Sequence, residues 1–354
     1  EILCRSSLEQ LQECGFLQEN VAIVAANILG KSDLQTERSL NYAAGSIYPA
    51  LMRTTDEIDN LLRGLEGRFV PPGPSGAPTR GMANVLPTGR NFYSVDPKTL
   101  PSPAAWVVGQ ALGDALLEKY LEEEGAYPEM VGIVVWGTSA MRTHGDDIAQ
   151  IMYLLGVRPV WQQESRRVSG VEVIPISELG RPRIDVTVRI SGFFRDAFPN
   201  LIYLLDQAIE RVSTLDEDPE DNYILKHLRQ DQERVAASGK NPDSAPDSGR
   251  STSLYRIFGS KPGTYGAGIL PVLDERNWET VHDLAEVYTA WGGYAYTQQD
   301  FGVNAREEFR LRFSQIVIAA KNQDNREHDV FDSDDYMQYH GGMIATVRSL
   351  TGSN

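Results

Sequence analysis

The chain has 354 residues, of which 41% are hydrophobic, and its 49 acidic and 33 basic side chains give a formal net charge of -16. This length predicts two or three domains at roughly 100–200 residues each. No apolar run approaches the ~20 residues that cross a membrane. The excess of acidic side chains argues against a general nucleic-acid-binding protein, because such a protein needs a basic face. The two cysteines, Cys4 and Cys14, lie near one end and are too few to stabilise a chain of this length by disulfide bonds. This favours a reducing, cytoplasmic setting.

Residues 1–69 are predicted to form a helical segment, because apolar side chains recur there at helical intervals. These intervals are marked by Leu8, Leu11 and Cys14, by Val21–Leu29, and by Ile58, Leu61, Leu62 and Leu65. Residues 70–102 are predicted to be a Pro/Gly-rich loop, because the stretch 70–81 has four prolines and three glycines, which disfavour any regular element. Its continuation, Leu86–Tyr93, mixes arginine with aromatic residues as ligand-binding loops do, and a plain linker is the alternative.

Residues 103–213 are predicted to form an α/β domain with a βαβ core and a mainly parallel sheet. The predicted strands are Val131–Trp136, Val157–Trp161 and Ile184–Ile190. The first strand is continuously apolar, as in a sheet that is buried on both faces. Pro103 and Pro199 each suit the first turn of a helix. The first two strands and the helix between them lie within about 30 residues, as in a βαβ unit.

Residues 214–250 are predicted to be an acidic linker. The segment has nine acidic and five basic residues and ends in a run of alanine, serine, glycine, proline and aspartate, a composition that is typical of an exposed, flexible connection. Residues 251–354 are then predicted to form a second α/β domain, with helices near Val281–Trp291 and Ala305–Phe313 and a strand at Ile316–Ala320.

The stretch Gly137–Asp147 follows the first predicted strand and leads into a helix. Ligands of open parallel sheets bind outside the carboxyl ends of the strands, where helix N-termini offer free N–H groups. Ser139, Arg142 and His144 are therefore candidate contacts to an anionic ligand. The alternative is a turn in which Thr143 or Asp146 caps the helix.

Several cationic side chains stand near predicted strand ends or in glycine-rich loops. They are Arg80, Arg90, Arg142, Arg189, Arg195 and Lys261. The arginine fork matches the geometry of a carboxylate, so these residues are predicted to bind a polyanionic ligand. The alternative for the loop Phe258–Gly268 around Lys261 is a simple connection between secondary-structure elements.

The stretch from Glu327 to His340 has two histidines and five carboxylates. Imidazole and carboxylate together suit Co²⁺, Ni²⁺, Zn²⁺ or Fe²⁺, whereas oxygen ligands alone suit Ca²⁺, and the spacing is not that of an EF-hand. A site for a metal or for proton transfer is therefore predicted at His328, Asp329, Asp332, Asp334, Asp335 and His340. The alternative is a solvated helix start capped by Asp332 or Ser333.

The same stretches resemble the large subunit of the ATP-dependent cobaltochelatase of cobalamin synthesis, which is related to the large subunit of magnesium chelatase. The matching segments are Val70–Gly81, Leu86–Pro97, Val135–Asp147, Val186–Pro199, Ile257–Gly268 and Val317–Gly342. Asn322–Asp324, Asp334–Tyr336 and Tyr339–Gly342 resemble the cobalt branch more than the magnesium branch. The family's subunit is several times longer, and its His-Gly-x-Leu-Glu type motif does not occur here. Since the chain also starts at Glu1 rather than Met, we expect a fragment.

The resemblance implies an enzyme that inserts Co²⁺, its substrate metal, into metal-free hydrogenobyrinic acid a,c-diamide and removes two ring protons. Proton removal is assigned to His328, Asp329, Asp335 and His340, and metal delivery to His328, Asp332, Asp334 and His340. The cationic residues would bind the carboxylates of the ring. ATP and Mg²⁺ are expected at a partner AAA+ ATPase subunit, which works with an integrin-like subunit that has a metal-ion-dependent adhesion site.

Three alternatives remain open on the sequence. The nearest is insertion of Mg²⁺ into protoporphyrin IX, which His328 and His340 disfavour because Mg²⁺ prefers oxygen ligands. A second is a tetrapyrrole-binding protein without catalytic activity. The third is an α/β protein that binds another small molecule and whose acidic stretch is only surface.

Overall fold

The computed structural model describes residues 2–30, 33–76, 78, 82–237, 251–325 and 329–352. The chain divides into two compact units, Glu1–Ser94 and Val95–Asn354. No helix in the described ranges is long and apolar enough to cross a membrane.

The first unit is mainly helical, as the apolar intervals predict. Its helices are α1 (Ile2–Glu13), α2 (Val21–Leu29), α3 (Leu34–Tyr42), α4 (Tyr48–Leu51) and α5 (Asp56–Leu65). Its small core consists of Leu11, Val21, Val24, Ala25, Leu40 and Ala44. The Pro/Gly-rich stretch is not entirely irregular, because β1 (Pro72–Pro74) and β2 (Asn91–Tyr93) pair in parallel. Proline at the ends of so short a strand removes few ladder hydrogen bonds.

The second unit alternates helices and strands. Its elements are α6 (Pro103–Glu124), β3 (Met130–Val135), α7 (Gly137–Thr143), α8 (Asp146–Leu155), β4 (Val157–Trp161), β5 (Val168–Val173), α9 (Ile176–Leu179), β6 (Asp185–Ile190), α10 (Gly192–Ala197), α11 (Pro199–Ser213), α12 (Tyr223–Ala237), β7 (Ile257–Gly259), α13 (Leu270–Asp274), α14 (Val281–Gly292), β8 (Tyr294–Tyr296), β9 (Phe301–Asn304), α15 (Arg306–Phe313), β10 (Ile318–Ala320), a π-helix (Tyr336–Gly341) and α16 (Gly342–Thr351).

A six-stranded sheet in the order β10-β3-β6-β7-β8-β9 organises this unit. β10, β3, β6 and β7 are parallel, whereas β8 and β9 are antiparallel to their neighbours. Successive side chains of a strand point to opposite faces. Val131 and Ile133 therefore pack in the core on one face, and Met130 and Val134 in the core on the other. A strand with two covered faces is continuously apolar, which confirms the interpretation of β3 and the α/β class.

The structure corrects the division of the second unit into two domains. Strands from both sides of residues 214–250 lie in the same sheet, since β10 pairs with β3 and β7 pairs with β6. Sequence periodicity reports which face of a strand is buried but carries no information about which strand is its neighbour. The second predicted α/β domain is therefore the other half of one mixed sheet.

The predicted acidic linker contains a packed helix, α12. Its His227 is buried and lies with Nδ1 2.8 Å from Oδ2 of Asp185, at the start of β6. The same carboxylate accepts two hydrogen bonds from Arg256, at 2.8 and 2.9 Å. His227 of α12 thus pairs with a buried carboxylate, which an acidic composition does not reveal. Residues 238–250, the rest of the predicted linker, lie outside the described residues.

The predicted first βαβ unit also differs in its second strand. β4 pairs antiparallel with β5 in a separate two-stranded sheet, and the strand that follows β3 in the main sheet is β6. β4 is only partly buried, with Val160 40% exposed. A strand with one exposed face suits an antiparallel ribbon better than the middle of a parallel sheet. Helix α6 begins at Pro103 as predicted, capped by the Ser102 hydroxyl, which accepts from the Ala105 N–H at 3.1 Å.

Candidate functional site

The carboxyl ends of β10, β3, β6 and β7 lie at one edge of the sheet, because these four strands are parallel. We call this the carboxyl edge. Trp136, Ser191, Ser260 and Lys321 are the first residues after the four strands. Ligands of parallel sheets bind outside such an edge, and most of the predicted site residues lie in the loops that leave it.

Lys321 is the central cation of the carboxyl edge. Its side chain is 0% exposed, and its Nζ donates to the Ser139 hydroxyl at 3.2 Å and to the Asn322 carbonyl at 2.8 Å. The ammonium lies 4.4 Å from the centroid of the Trp136 ring and 4.0 Å from Oδ2 of Asp147. A buried ammonium needs such partners to offset its loss of hydration, so Lys321 joins the loop after β10 to the segment after β3.

Asn322 and Asp324 continue this connection. The Asn322 side-chain amide donates to Oδ1 of Asp147 at 2.8 Å and to Oε1 of Gln150 at 2.7 Å. Arg142 Nε donates to Oδ2 of the buried Asp324 at 2.7 Å. Burial raises the pKa of Asp324, but the charges of Arg142 and Lys321 and the hydrogen bonds from Arg142 and Ser139 together hold that pKa below its ordinary value. The structure therefore gives two predicted ligand-binding residues, Ser139 and Arg142, partners within the protein.

A π-helix, Tyr336–Gly341, lies against this edge. Tyr336 and Tyr339 pack edge-on against Trp136, with ring centroids 5.0 and 6.1 Å away. The half-buried His340 follows, and both its burial and the nearby charge of Lys321 lower its pKa. Within the described part of the chain, its Nδ1 has no hydrogen-bond partner. π-Helical turns are rare and occur often at functional sites, so this imidazole is the strongest candidate that remains from the predicted cluster.

Asp335 lies at the start of the π-helix and is exposed. Its Oδ1 accepts from the side-chain amide of Gln338 at 2.9 Å, and Oε1 of Gln338 accepts from the Ala267 N–H at 2.9 Å. The carboxylate is thus held in place relative to the loop after β7. Two of the predicted catalytic residues therefore lie together at the carboxyl edge, since Asp335 immediately precedes the π-helix that contains His340.

A cleft opens between the loops that leave β3 and β6. The cleft has a volume of about 160 Å³ and is lined by Trp136, Gly137, Thr138, Ser191, Gly192, Phe193, Tyr265, Asp335 and Tyr339. The Ser191 hydroxyl accepts from the N–H groups of Gly137, at 3.3 Å, and Phe194, at 3.1 Å, which joins the two loops. A pocket that encloses a drug-sized ligand has roughly 300–1,000 Å³, so this cleft can receive part of a large ligand but cannot enclose it.

The two arginines near the end of β6 face inward. Arg189 is 0% exposed, and its guanidinium lies 5.3 and 5.4 Å from the ring centroids of Tyr288 and Tyr339. Arg195 is 1% exposed, and its Nη1 donates to the carbonyls of Ser260, Lys261 and Thr264 at 2.9–3.2 Å. The guanidinium of Arg195 is thus occupied within the protein, whereas Nε and Nη2 of Arg189 have no hydrogen-bond partner among the described residues. The predicted role of both arginines in substrate binding stays a prediction.

The remaining predicted cations are dispersed. Lys261 is exposed in the loop after β7. His144 ends α7 in a left-handed conformation, and burial lowers its pKa. Arg90 lies in the first unit, where its Nη2 donates to the Val85 carbonyl at 2.7 Å. Arg80 lies outside the described residues.

Asp329, Asp332 and Asp334 are exposed and do not form a compact site. The Asp332 carboxylate accepts from the Asp329 N–H at 2.8 Å, and that of Asp329 accepts from the Phe331 N–H at 2.8 Å. These bonds close a turn. In the part of the chain that the structure describes, no group of three or more histidine, cysteine or acidic side chains could hold a metal. His328, a predicted residue of both metal delivery and proton removal, lies outside the described residues.

Sequence reasoning did not select Lys321, Asn322, Asp324 or Trp136 as site residues. A signal was available, since Trp136 and Lys321 immediately follow two strands. Their importance depends on β10 lying beside β3, which brings together residues more than 170 positions apart in the chain.

Comparison with known proteins places these features in a family. The CobN/Magnesium Chelatase family model matches residues 1–354. The chain is 54% identical over 297 residues to the aerobic cobaltochelatase subunit CobN of Pseudomonas aeruginosa, which is 84% of this chain and 24% of that protein. It is 34% identical over 290 residues to the chloroplastic magnesium-chelatase subunit ChlH of Oryza sativa subsp. indica, which is 81% of this chain and 20% of that protein.

A solved structure agrees with this assignment. The catalytic subunit of cobaltochelatase from Mycobacterium tuberculosis superposes with a TM-score of 0.89 at 52% identity, over 99% of this chain and 28% of that one. The chain thus spans about a quarter of the length of the relatives that it matches.

Proposed function

The chain belongs to the CobN/magnesium chelatase family, and from this membership we propose that it is part of the catalytic large subunit of an ATP-dependent cobaltochelatase. The reaction is the insertion of Co²⁺ into metal-free hydrogenobyrinic acid a,c-diamide during cobalamin synthesis. The cobalt branch is favoured over the magnesium branch because identity to the cobaltochelatase subunit, at 54%, exceeds the 34% to the magnesium-chelatase subunit.

The observation that carries the proposal is the carboxyl edge with its π-helix. Metal insertion exchanges one divalent cation for two protons on ring nitrogens, so the site needs nitrogen or oxygen groups that release a metal or accept a proton. His340 lies in the π-helix and Asp335 immediately precedes it. Asp335 lines the cleft together with Trp136 and Tyr339. Aromatic walls next to an imidazole and a carboxylate suit a flat, conjugated ring with reactive nitrogens.

Within this proposal the predicted residues divide into two groups. His340 and Asp335 act on the ring, whereas Asp329, Asp332 and Asp334 are exposed carboxylates that bring Co²⁺ to it through weak, exchangeable contacts. His328 is kept as a candidate for both tasks on the sequence alone. Lys261, which is exposed beside Arg195, is the cation most suited to a ring carboxylate.

The small volume of the cleft bears on how the ring binds. At about 160 Å³ it is below the range of pockets that enclose a drug-sized ligand. The macrocycle therefore lies across the mouth of the cleft and does not enter it. We further propose that a separate AAA+ ATPase subunit, using ATP and Mg²⁺, and an integrin-like subunit work with the protein in the cytoplasm.

Ring binding tests this proposal. The complete subunit that contains this chain is titrated with the metal-free corrin diamide and with protoporphyrin IX. The binding signal is the quenching of tryptophan fluorescence, to which the five tryptophans of this chain contribute. Saturable quenching by the corrin diamide, at least tenfold tighter than by protoporphyrin IX, is expected. Tighter binding of protoporphyrin IX would move the protein to the magnesium branch, and no binding of either ring would contradict the proposed function.

A second measurement distinguishes catalysis from mere binding. Co²⁺ insertion is followed by the absorbance of the corrin ring, with and without the ATPase partner. An enzyme subunit gives insertion that depends on the partner and on ATP. A carrier protein gives stoichiometric binding whose metal uptake the partner does not change.

A further inference from the structure

Tyr265 is an exposed aromatic residue that is nevertheless fixed in place. Its side chain is 60% exposed at the mouth of the cleft. Its hydroxyl donates to Oδ2 of Asp196 at 2.7 Å, and its carbonyl accepts from Trp291 Nε1 at 3.2 Å. Exposed side chains ordinarily keep their rotamer freedom, and fixing one costs conformational entropy.

Arg195 holds the other side of this arrangement. Its guanidinium lies 5.4 Å from the centroid of the Tyr265 ring and donates to both carboxylate oxygens of Asp196, at 2.6 and 2.8 Å. The same group binds the carbonyls of Ser260 and Thr264. The buried Arg195 thus contacts the loop after β7, the Asp196 carboxylate that accepts from the Tyr265 hydroxyl, and one side of the Tyr265 ring.

The glycine at the start of α10 lets the ring approach the backbone. A Cβ on Gly192 would lie 2.7 Å from Cδ1 of Tyr265 and 2.8 Å from the Thr264 carbonyl oxygen, distances that real Cβ atoms do not show. Phe193, the next residue, is 40% exposed and lines the same cleft. The two partly exposed rings therefore border one opening, which also contains Asp335.

We propose that Tyr265 is a preorganised stacking platform for the conjugated macrocycle of the substrate, with Phe193 as a second apolar contact at the rim. The inference rests on the proposed function and names the residues that bind the ring. A planar π-system is the ligand that gains most from a rigid, exposed aromatic face. Because the entropy of fixing Tyr265 is already lost in the free protein, stacking adds to the affinity without that cost.

Two substitutions distinguish the contribution of the Tyr265 ring from that of its hydroxyl. Tyr265→Leu removes the aromatic face, whereas Tyr265→Phe retains it and removes only the bond to Asp196. By analogy with stacking of nucleic-acid bases, the loss of one aromatic partner corresponds to about a tenfold weakening. We expect the Kd of the metal-free corrin diamide to rise about tenfold in Tyr265→Leu and less than threefold in Tyr265→Phe. Gly192→Ala, whose Cβ would displace both the ring and the Thr264 carbonyl of the loop, is expected to lie between the two.

The kinetic readout distinguishes a ring contact from a structural role. A contact that is equally strong in the ground state and the transition state changes KM and leaves kcat unchanged. Phe301→Leu is the matched control, because Phe301 is a 48% exposed aromatic on β9. Thermal melting of each variant reports on folding.

The outcomes are distinct. Raised Kd and KM in Tyr265→Leu, with unchanged kcat and melting and an unaffected Phe301→Leu, support the platform. A Tyr265→Leu protein that binds the ring as tightly as the wild type overturns it and leaves the proposed function standing. Equal losses in Tyr265→Leu and Tyr265→Phe also overturn it, because the hydroxyl would then be the contact. If the wild type binds no ring, the proposed function itself fails.

Discussion

Replacing Arg142 by alanine decides whether this residue binds substrate, as its position after β3 predicts, or stabilises the fold. Its guanidinium pairs with Asp324, whose side chain is 2% exposed, while that of Arg142 is 29% exposed. Breaking a buried pair costs about 3–5 kcal/mol because the remaining charge is left unpaired. The partial exposure of Arg142 favours the lower end of this range, about 3 kcal/mol.

Thermal and urea unfolding measure this loss. For a domain of this size, 3 kcal/mol corresponds to a fall in Tm of about 6–12 °C. The double variant Arg142→Met/Asp324→Asn is the control, because it removes both charges and should recover much of the stability. Arg142→Ala with unchanged Tm and a weaker Kd for the ring would refute the structural role and restore the one predicted from the sequence.

The ion pair between Arg142 and Asp324 also makes the stability of the fold depend on pH in a definite direction. The folded-state pKa of Asp324 is lowered, so its contribution to stability is complete well above the ordinary pKa of an aspartate. That contribution is lost as the pH falls through the lowered, folded-state value. The difference in stability between the wild type and Arg142→Ala should therefore be largest near neutral pH and shrink in acid.

Two further predictions concern the carboxyl edge and the opposite end of the sheet. Lys321→Met should lower the free energy of unfolding by about 2–3 kcal/mol, because the Lys321 ammonium is buried against Ser139, Asn322 and the Trp136 ring. Lys321→Arg, which retains the charge, is the control. An unchanged urea midpoint in Lys321→Met would contradict the claim that the buried ammonium stabilises the fold. Asp185→Asn should lower the free energy of unfolding, measured in urea, by about 3–5 kcal/mol, because the Asp185 carboxylate neutralises the buried Arg256. A loss below about 1 kcal/mol would contradict a stabilising role for this ion pair.

The sequence predicted the parts of the fold that depend on local pattern. The continuous apolar run of β3 and the proline at the start of α6 correspond to elements in the structure. The pairing of β10 with β3 could not be predicted, because periodicity assigns a face to each strand but no neighbour. That pairing is what places Lys321 beside Ser139.

The arginines show a second limit. Val188 and Ile190 pack in the core on one face of the sheet, so alternation alone directs Arg189 to the opposite face. Whether that face was open to a ligand depended on the elements that cover it, and Tyr288 and Tyr339 contact the guanidinium there. The sequence shows that Arg189 is a cation near a strand end, but it does not show that the side chain is buried.

The predicted histidine and aspartate cluster stays a prediction, and its His328 lies outside the described residues. Its segment contains Asp335 and, directly after it, the π-helix with His340, at the edge where ligands of parallel sheets bind. A π-helix has no sequence signature that distinguishes it from an ordinary helix start. The roles of His340 and of the three exposed aspartates stay predictions.

The most direct test of the account is the rate of Co²⁺ insertion by the His340→Ala variant, in the complete subunit assembled with its ATPase partner. Loss of a positioned proton acceptor or metal contact lowers such a rate by roughly 10²–10⁴-fold. The matched control is His282→Ala, a histidine of α14 whose Nδ1 lies 3.2 Å from the Ser349 hydroxyl. We expect insertion to be at least about a hundredfold slower, with unchanged ring binding, in His340→Ala alone. Equal rates in the two variants and the wild type would contradict the proposed role of His340.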